Sequence, residues 1–475
     1  MSAGVFILIL VVAIAALVLM IVKAKMHPVL ALFIAALGTG IALGYGVTGS
    51  VDYISNGFGG TLGSVGITII LGAIISMAIE DTGAAKVIAN FFIKLFRGKR
   101  MELAPALTAF IMSIPVFGDI TMVLTAPIAS MLSKRKHISM STMASFTGLG
   151  LFLTHGLVPP TPGILAIALM FGSDLGMTIV WGLVISFVGF FGTYFLLRKW
   201  TEKEWIEPNP EFVRGMEETG SDSVDDILIK DPGLPHTGEG FLPLLLPAVM
   251  IAIGSIGKLF SAEGSAAYNF FNTFGNTVLA LFMGIIAVGC LIFGRKDKVV
   301  KKANADGTGC KLTEKSSWFE IVMNNWVGRA LQIAIGALLI TAMGGAMGGI
   351  LRENEAIATI GGMIAESSFP AVLVPFIMAA ILMTVCGSMT TAAMTAAGLM
   401  GGLMTVLGLD PVLTTLAIGA GSMVGWHVNN SGFWIFTSLY GFDTKQGLKY
   451  FTTTNALGGI VAFIVLVIIH AVGLV

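Results

Sequence analysis

Apolar runs of about 20 residues, each long enough to cross a bilayer as a helix, recur along almost the whole chain. The first two predicted spans are roughly 5–22 and 28–47, joined by Lys23, Lys25 and His27. A glycine-rich stretch, Asn56-Gly-Phe-Gly-Gly-Thr-Leu-Gly63, reads as a loop, and a third span follows from Ser64 to Glu80. The stretch 84–96 is shorter and amphipathic, with Lys86 and Lys94 on its polar side. That pattern predicts a helix lying at the membrane interface.

The apolar pattern then changes character. Residues 102–132 are too many for one span, and Pro115 near the middle leaves each half too short for its own. Arg97, Lys99 and Arg100 precede the segment; Lys134, Arg135 and Lys136 follow it. Positive charge favours the cytoplasm, so both ends lie on one side and the segment is predicted to be a re-entrant hairpin. The next element, 141–170, is broken by Pro159, Pro160 and Pro162, and a span at 177–197 ends in Arg198 and Lys199.

Residues 198–240 form a polar linker rich in Glu, Asp, Pro and Gly, which divides the chain into 1–197 and 241–475. The second part repeats the plan. Spans at 241–256 and 273–293 lead to a lysine-rich loop at 295–315, and Trp318 and Trp326 suggest an interfacial aromatic belt. A span at 327–351, a connecting stretch at 355–368, a second hairpin at 370–407, a broken element at 412–439 and a last span at 457–472 complete the chain. An offset of 273 carries Gly72 onto Gly345 and Pro115 onto Ser388, while His155 and His427 differ by 272. With the basic loops at 23–27, 94–100, 134–137, 198–203, 295–302 and 445–449 placed inside, the two repeats are inverted and both termini lie outside. The predicted fold class is therefore an all-α polytopic membrane protein made of two inverted repeats, each with a re-entrant hairpin and a broken helix.

Composition agrees with that class. Of 475 residues, 55% are hydrophobic and only 11% charged, and the net charge is zero, which gives nucleic acid nothing to bind. Glycine, at 60 residues, allows close helix approach. Cys290, Cys310 and Cys386 make no disulfide framework, no metal-ligand or phosphate-loop spacing is present, and no nucleophile–base set suggests an enzyme.

The candidate chemistry sits at the breaks. Irregular backbone at membrane depth is tolerated where it lines a cavity, and paired breaks in two halves mark a transporter's binding site. One set is Ser113, Pro115, Gly118 and Thr121, and its partner set is Gly387, Ser388, Thr390 and Thr391. Interrupted helices present N-terminal N–H groups that favour a carboxylate, and hydroxyls add hydrogen bonds to a polyol. A second pair of breaks carries Thr161 among the prolines and Asn429, Asn430 and Ser431 opposite. Asp119, His155 and His427 are the titratable groups within apolar segments and the candidates for proton coupling.

At these residues the chain resembles the gluconate permease family of bacterial secondary transporters. The resemblance runs through Asn56-Gly-Phe-Gly-Gly-Thr-Leu-Gly63, Pro115-Val-Phe-Gly-Asp119, His155-Gly-Leu-Val-Pro-Pro160, Gly387-Ser-Met-Thr-Thr391 and His427-Val-Asn-Asn-Ser-Gly-Phe-Trp434, and covers nearly the whole chain. It implies a scaffold domain, a mobile transport domain, an elevator movement and a homodimer in the bacterial inner membrane. It also implies a cargo among gluconate, related sugar acids, glycerate and serine, carried with protons. Thr161 stands where members often have His, Asn430 where Asp is common, and Gly118-Asp119 replaces an aromatic–acid pair. The expected activity is proton-coupled uptake of a small hydroxy-monocarboxylate, with no cofactor and no metal. Its rivals are a sodium-coupled carboxylate symporter and a cation/proton antiporter without organic substrate.

Overall fold

The structure is a computed structural model; it describes residues 3–474 except 117, 214–227, 230, 232, 308, 353, 355–369, 387 and 429. Every long element is a helix. The first part runs α1 (Ala3–Val22), α2 (Pro28–Ala42), α3 (Gly46–Thr82), α4 (Ala84–Phe96), α5 (Leu103–Met112), α6 (Gly118–Lys136), α7 (Met140–Leu157), α8 (Pro162–Phe171) and α9 (Leu175–Thr201). After the linker come α10 (Thr237–Leu259), α11 (Ala266–Phe274), α12 (Thr277–Cys290), α13 (Lys296–Asp306), α14 (Val327–Arg352), α15 (Leu373–Cys386), α16 (Met389–Val406), α17 (Pro411–Gly421), α18 (Ser431–Tyr440) and α19 (Thr453–Ala471). π-Helical turns at Ile321–Trp326 and Gly447–Thr452 lead into α14 and α19. Among the described residues, five helices are long and apolar enough to cross a membrane, or seven if each of two bent pairs is one span.

Helices end and restart where the patterning places the breaks. α5 ends at Met112 and α6 begins at Gly118, α15 ends at Cys386 and α16 begins at Met389, and interruptions also separate α7 from α8 and α17 from α18. Local chemistry sets their ends. Asp174 accepts from Met177 N at 2.8 Å to start α9, and Asp410 accepts from Val412 N and Leu413 N at 2.7 and 3.0 Å to start α17. The expected interfacial helix at 84–96 is α4; it buries Val87, Ile88, Phe92 and Ile93 against α5 and α10. Its expected counterpart at 355–368 lies outside the described residues.

Three expectations are corrected. The glycine-rich stretch 56–63 is helix rather than loop: it lies inside α3, which begins at Gly46 and bends by 46° between Ser64 and Gly66. Tertiary packing offsets glycine's low helix propensity here. α3 crosses α14 so closely that a Cβ on Gly57 would stand 2.6 Å from Gly345 O and 2.8 Å from Ala346 Cα. Trp326 is not in an interfacial belt; it is fully buried and donates from Nε1 to Asp81 Oδ2 at 2.9 Å. The lysine-rich stretch holds a helix of its own, α13.

Packing crosses between the two parts in a reciprocal way. α6 of the first hairpin packs on α18, and α16 of the second packs on α8. Thr125 Oγ1 and Tyr440 OH lie 2.9 Å apart across the first of these contacts. α3 and α14 pack on each other, as do α9 and α19. These crossed contacts bring the four breaks toward one region.

Candidate functional site

α7 runs as far as Leu157 and stops because three of the next five residues are prolines without N–H groups. Val158 is extended, and Thr161 with Pro162 opens α8. The carbonyls freed at the end of α7 find a donor in Thr161, whose Oγ1 lies 2.9 Å from His155 O and 3.0 Å from Val158 O. The Thr161 hydroxyl proton is therefore committed to backbone, and the residue is fully buried.

The opposing wall is the start of α16. Ser388 caps that helix: its Oγ accepts from Thr391 N at 3.3 Å and from Thr391 Oγ1 at 3.0 Å. Thr390, half-buried, stays off this pair. His155, Gly163, Ile164, Met389, Thr390 and Ser422 line a small void of about 10 Å³ between these elements. Its walls come from both parts of the chain, and they include the first turns of α8 and α16, the positive ends of two helix dipoles. That is room for about one water, far below the roughly 300 Å³ at which small-molecule pockets usually begin, so the walls must part before an organic anion enters.

His155 is the titratable group in this cavity. Its Nδ1 is buried and has no hydrogen-bond partner. Its Nε2 is 4.0 Å from where a Cβ on Gly118 would stand, which places the imidazole against the break of the first hairpin. Ser113 Oγ and Thr121 Oγ1, on either side of that break, are also buried and without partners. Other buried side-chain atoms, among them Ser130 Oγ, Ser145 Oγ and Thr193 Oγ1, also lack partners; these three differ in lying around one helix break. Pro115 is buried within the same break. Asp119, by contrast, is exposed in the first turn of α6 and does not line the cavity with His155.

The second break is used differently. His427 Nε2 lies 2.8 Å from Thr384 O and ties this segment to α15 rather than lining the cavity. Gly425 has φ +89°, and a Cβ there would stand 2.8 Å from Thr384 Cα, so only glycine fits. Asn430 Oδ1 accepts from Phe433 N at 3.2 Å and caps α18, whose first residue is Ser431. Gly387 and Asn429 lie outside the described residues. Sequence reasoning missed Ser422, Gly419, Ile164 and Ile167 as cavity residues, because their helical setting carries no local signal of what they face.

A larger cleft of about 560 Å³ lies between the end of α3 and Leu124 of α6 and is walled by Asp231 and by Lys298 of α13. None of the expected site residues lines it. Beside it Asp81 and Arg329, both buried, form an ion pair joining α3 to α14. Among the described residues no His, Cys, Asp and Glu group could hold a metal ion.

Similarity to known proteins agrees with this architecture. An uncharacterized permease of Haemophilus influenzae is 31% identical over 95% of this chain and 89% of its own. A gluconate permease of Pseudomonas aeruginosa is 26% identical over 97% and 96%. A D-serine transporter of Escherichia coli is 28% identical over 95% of each chain. The fold is also similar to the Alcanivorax borkumensis YdaH transporter, described as having an unusual topology, with a TM-score of 0.61 at 12% identity over 94% of this chain and 99% of that one. The family model of the GntP permeases matches residues 5–472. With its apolar helices and a family match over nearly its whole length, the chain belongs to the GntP family of permeases and is a multi-pass inner-membrane transporter rather than an enzyme.

Proposed function

We propose that the protein takes up gluconate or a similar small hydroxy-monocarboxylate together with protons. The observation that carries this reading is the set of unpaired buried groups, Ser113 Oγ, Thr121 Oγ1 and His155 Nδ1, at the break of the first hairpin. The carboxylate sits at the first turns of α8 and α16, where helix dipoles favour an anion without a fixed cation. Ser113, Thr121 and Thr390 supply hydrogen bonds to the cargo's hydroxyls, with Ser388, Thr391, Asn429, Asn430 and Ser431 shaping the opposite side. His155 carries the proton, with Asp119 and His427 as the other candidates.

The same reading takes 1–197 and 241–475 as inverted repeats joined by the linker at 198–240, with both termini outside. The hairpins and broken elements move as an elevator against a scaffold built on α3 and α14, in a homodimer. Its support is an asymmetry between matching elements. α16 packs along α14, whereas α6 faces the wide cleft beside the end of α3. The first hairpin therefore has open space on the side of the basic loops, an arrangement suited to one end of an alternating-access cycle.

The test is uptake of labelled gluconate by the purified protein in liposomes. Uptake driven by an inside-alkaline pH gradient, with choline replacing sodium, is the expected result. Uptake that requires sodium overturns the proton coupling. Uptake of D-serine with no effect of gluconate overturns the cargo. Proton flux driven by a cation gradient without any organic anion favours the antiporter.

A further inference from the structure

The linker between the two parts is fastened at both of its ends. Near its start, Glu204 O accepts from Ser139 Oγ and Ser141 Oγ at 2.8 and 2.7 Å, its carboxylate pairs with Lys449 at 2.6 Å, and Asn209 Nδ2 donates to Ser438 O and Leu439 O at 3.1 Å. These contacts lie on the start of α7, the end of α18 and the turn before α19. Near its far end the partners are different. Ile229 and Asn90 of α4 are joined in both directions: Ile229 N donates to Asn90 Oδ1 at 2.8 Å, and Asn90 Nδ2 donates to Ile229 O at 3.1 Å. Two residues on, Asp231 is held by both Lys86 of α4 and Lys298 of α13, each at 2.7 Å.

The place of these contacts matters. Gly83, with φ +75°, is the single residue between α3 and α4. A Cβ on it would stand 3.1 Å from Leu234 Cδ2, so the linker side chain sits directly on this joint. α4 connects α3 to the first hairpin, so any travel of that hairpin relative to α3 must be taken up at Gly83 and along α4. One carboxylate with a lysine on each side therefore ties the arm to α13 of the other part. It also forms a wall of the cleft that reaches Leu124 of the hairpin. Asp231 is only a fifth exposed, which screens these pairs less than open surface pairs.

We propose that the linker segment around Asn90, Ile229 and Asp231 is a strap that locks α4 to α13 over the Gly83 joint, and that it releases when the first hairpin travels. The inference rests on the elevator reading above. The strap favours the arrangement with the cleft open beside α6, so weakening it shifts the population toward the other arrangement.

The experiment measures distances between spin labels at Leu124→Cys and Ala305→Cys, which face each other across the cleft, with Cys290, Cys310 and Cys386 replaced and the full chain in nanodiscs. One distance dominates with the strap intact. Asp231→Asn at least doubles the population at a second distance, and Asp231→Glu, which keeps the bridge, leaves it unchanged. Lys86→Gln with Lys298→Gln removes the cations and reproduces Asp231→Asn, which decides the matter if that variant folds poorly. Identical distributions in all variants overturn the strap. Labelled-gluconate uptake by the wild-type protein is measured in parallel. If uptake fails, the functional reading falls while the distances still decide the strap. If uptake succeeds with identical distances, only the strap falls.

Discussion

Ser113, Thr121 and His155 each have a buried polar atom without a partner, and the three lie around one helix break. A buried hydroxyl or imidazole nitrogen without a partner loses its hydration for no return, unless a ligand completes it. Ser113→Ala and Thr121→Ala should therefore leave thermal stability unchanged or slightly higher, and weaken cargo binding by about 0.5–1.5 kcal/mol each, a factor of roughly 2–10. A titration of cargo-dependent thermal stabilisation checks both halves of the expectation. A structural hydroxyl would give the reverse result. Asp81 and Arg329 are a different case, a buried ion pair whose Asp81 Oδ2 also accepts from Trp326 while its Oδ1 has no partner. Removing one member leaves the other charge buried, so Asp81→Asn should cost about 3–5 kcal/mol, while replacing both by apolar residues of similar volume should cost far less. Unfolding of the two variants in the same detergent measures the difference.

Among the helices, α3 carries the plainest lesson about glycine. Gly57 and Gly60 lie three residues apart on α3, yet they have different surroundings. A Cβ at Gly57 meets backbone of α14 at 2.6 and 2.8 Å, which neither helix can yield without moving; a Cβ at Gly60 meets nothing within 4 Å. Gly57→Ala should destabilise by about 1–3 kcal/mol through overpacking. Gly60→Ala should stabilise by about 0.5–1 kcal/mol through helix propensity. Melting temperatures of the two single variants separate these outcomes. The hairpin α5–α6 was legible because its length, its central proline and its flanking basic residues are all local facts. The helix through Asn56–Gly63 was not, because those glycines look like loop until α14 is laid across them.

Over the whole molecule, the linker does more than connect. Its polar composition gives no sign of specific contacts. Folding brings Glu204 to Lys449 and Tyr450, and Asp231 to Lys86 and Lys298, across separations that no local pattern encodes. The hydrogen bond from Lys449, and then that from Tyr450, hold the Glu204 carboxyl below its ordinary value of 4.5. A depressed carboxylate adds stability above its unfolded value, and that stability is lost as pH falls through the folded one. Glu204→Gln should thus lower the melting temperature slightly at pH 7, by a few tenths of a kcal/mol for so exposed a pair. The difference from wild type should shrink once the pH drops below 4.5. A melting series from pH 7 to pH 3.5 would show it.

The sequence by itself determined the class and the places where the apolar runs are interrupted. Membrane insertion requires long apolar runs, and the interruptions in them are visible as prolines, glycines and hydroxyls in one dimension. Tertiary structure alone decided which of those residues meet. It set His155 beside Gly118 and Thr390 while turning His427 to Thr384 and leaving Asp119 exposed. It also buried Trp326 on Asp81. The physical reason is that a helix shows its neighbours one face at a time. Which face is shown depends on crossings such as α6 on α18, α16 on α8 and α3 on α14, made between residues hundreds of positions apart.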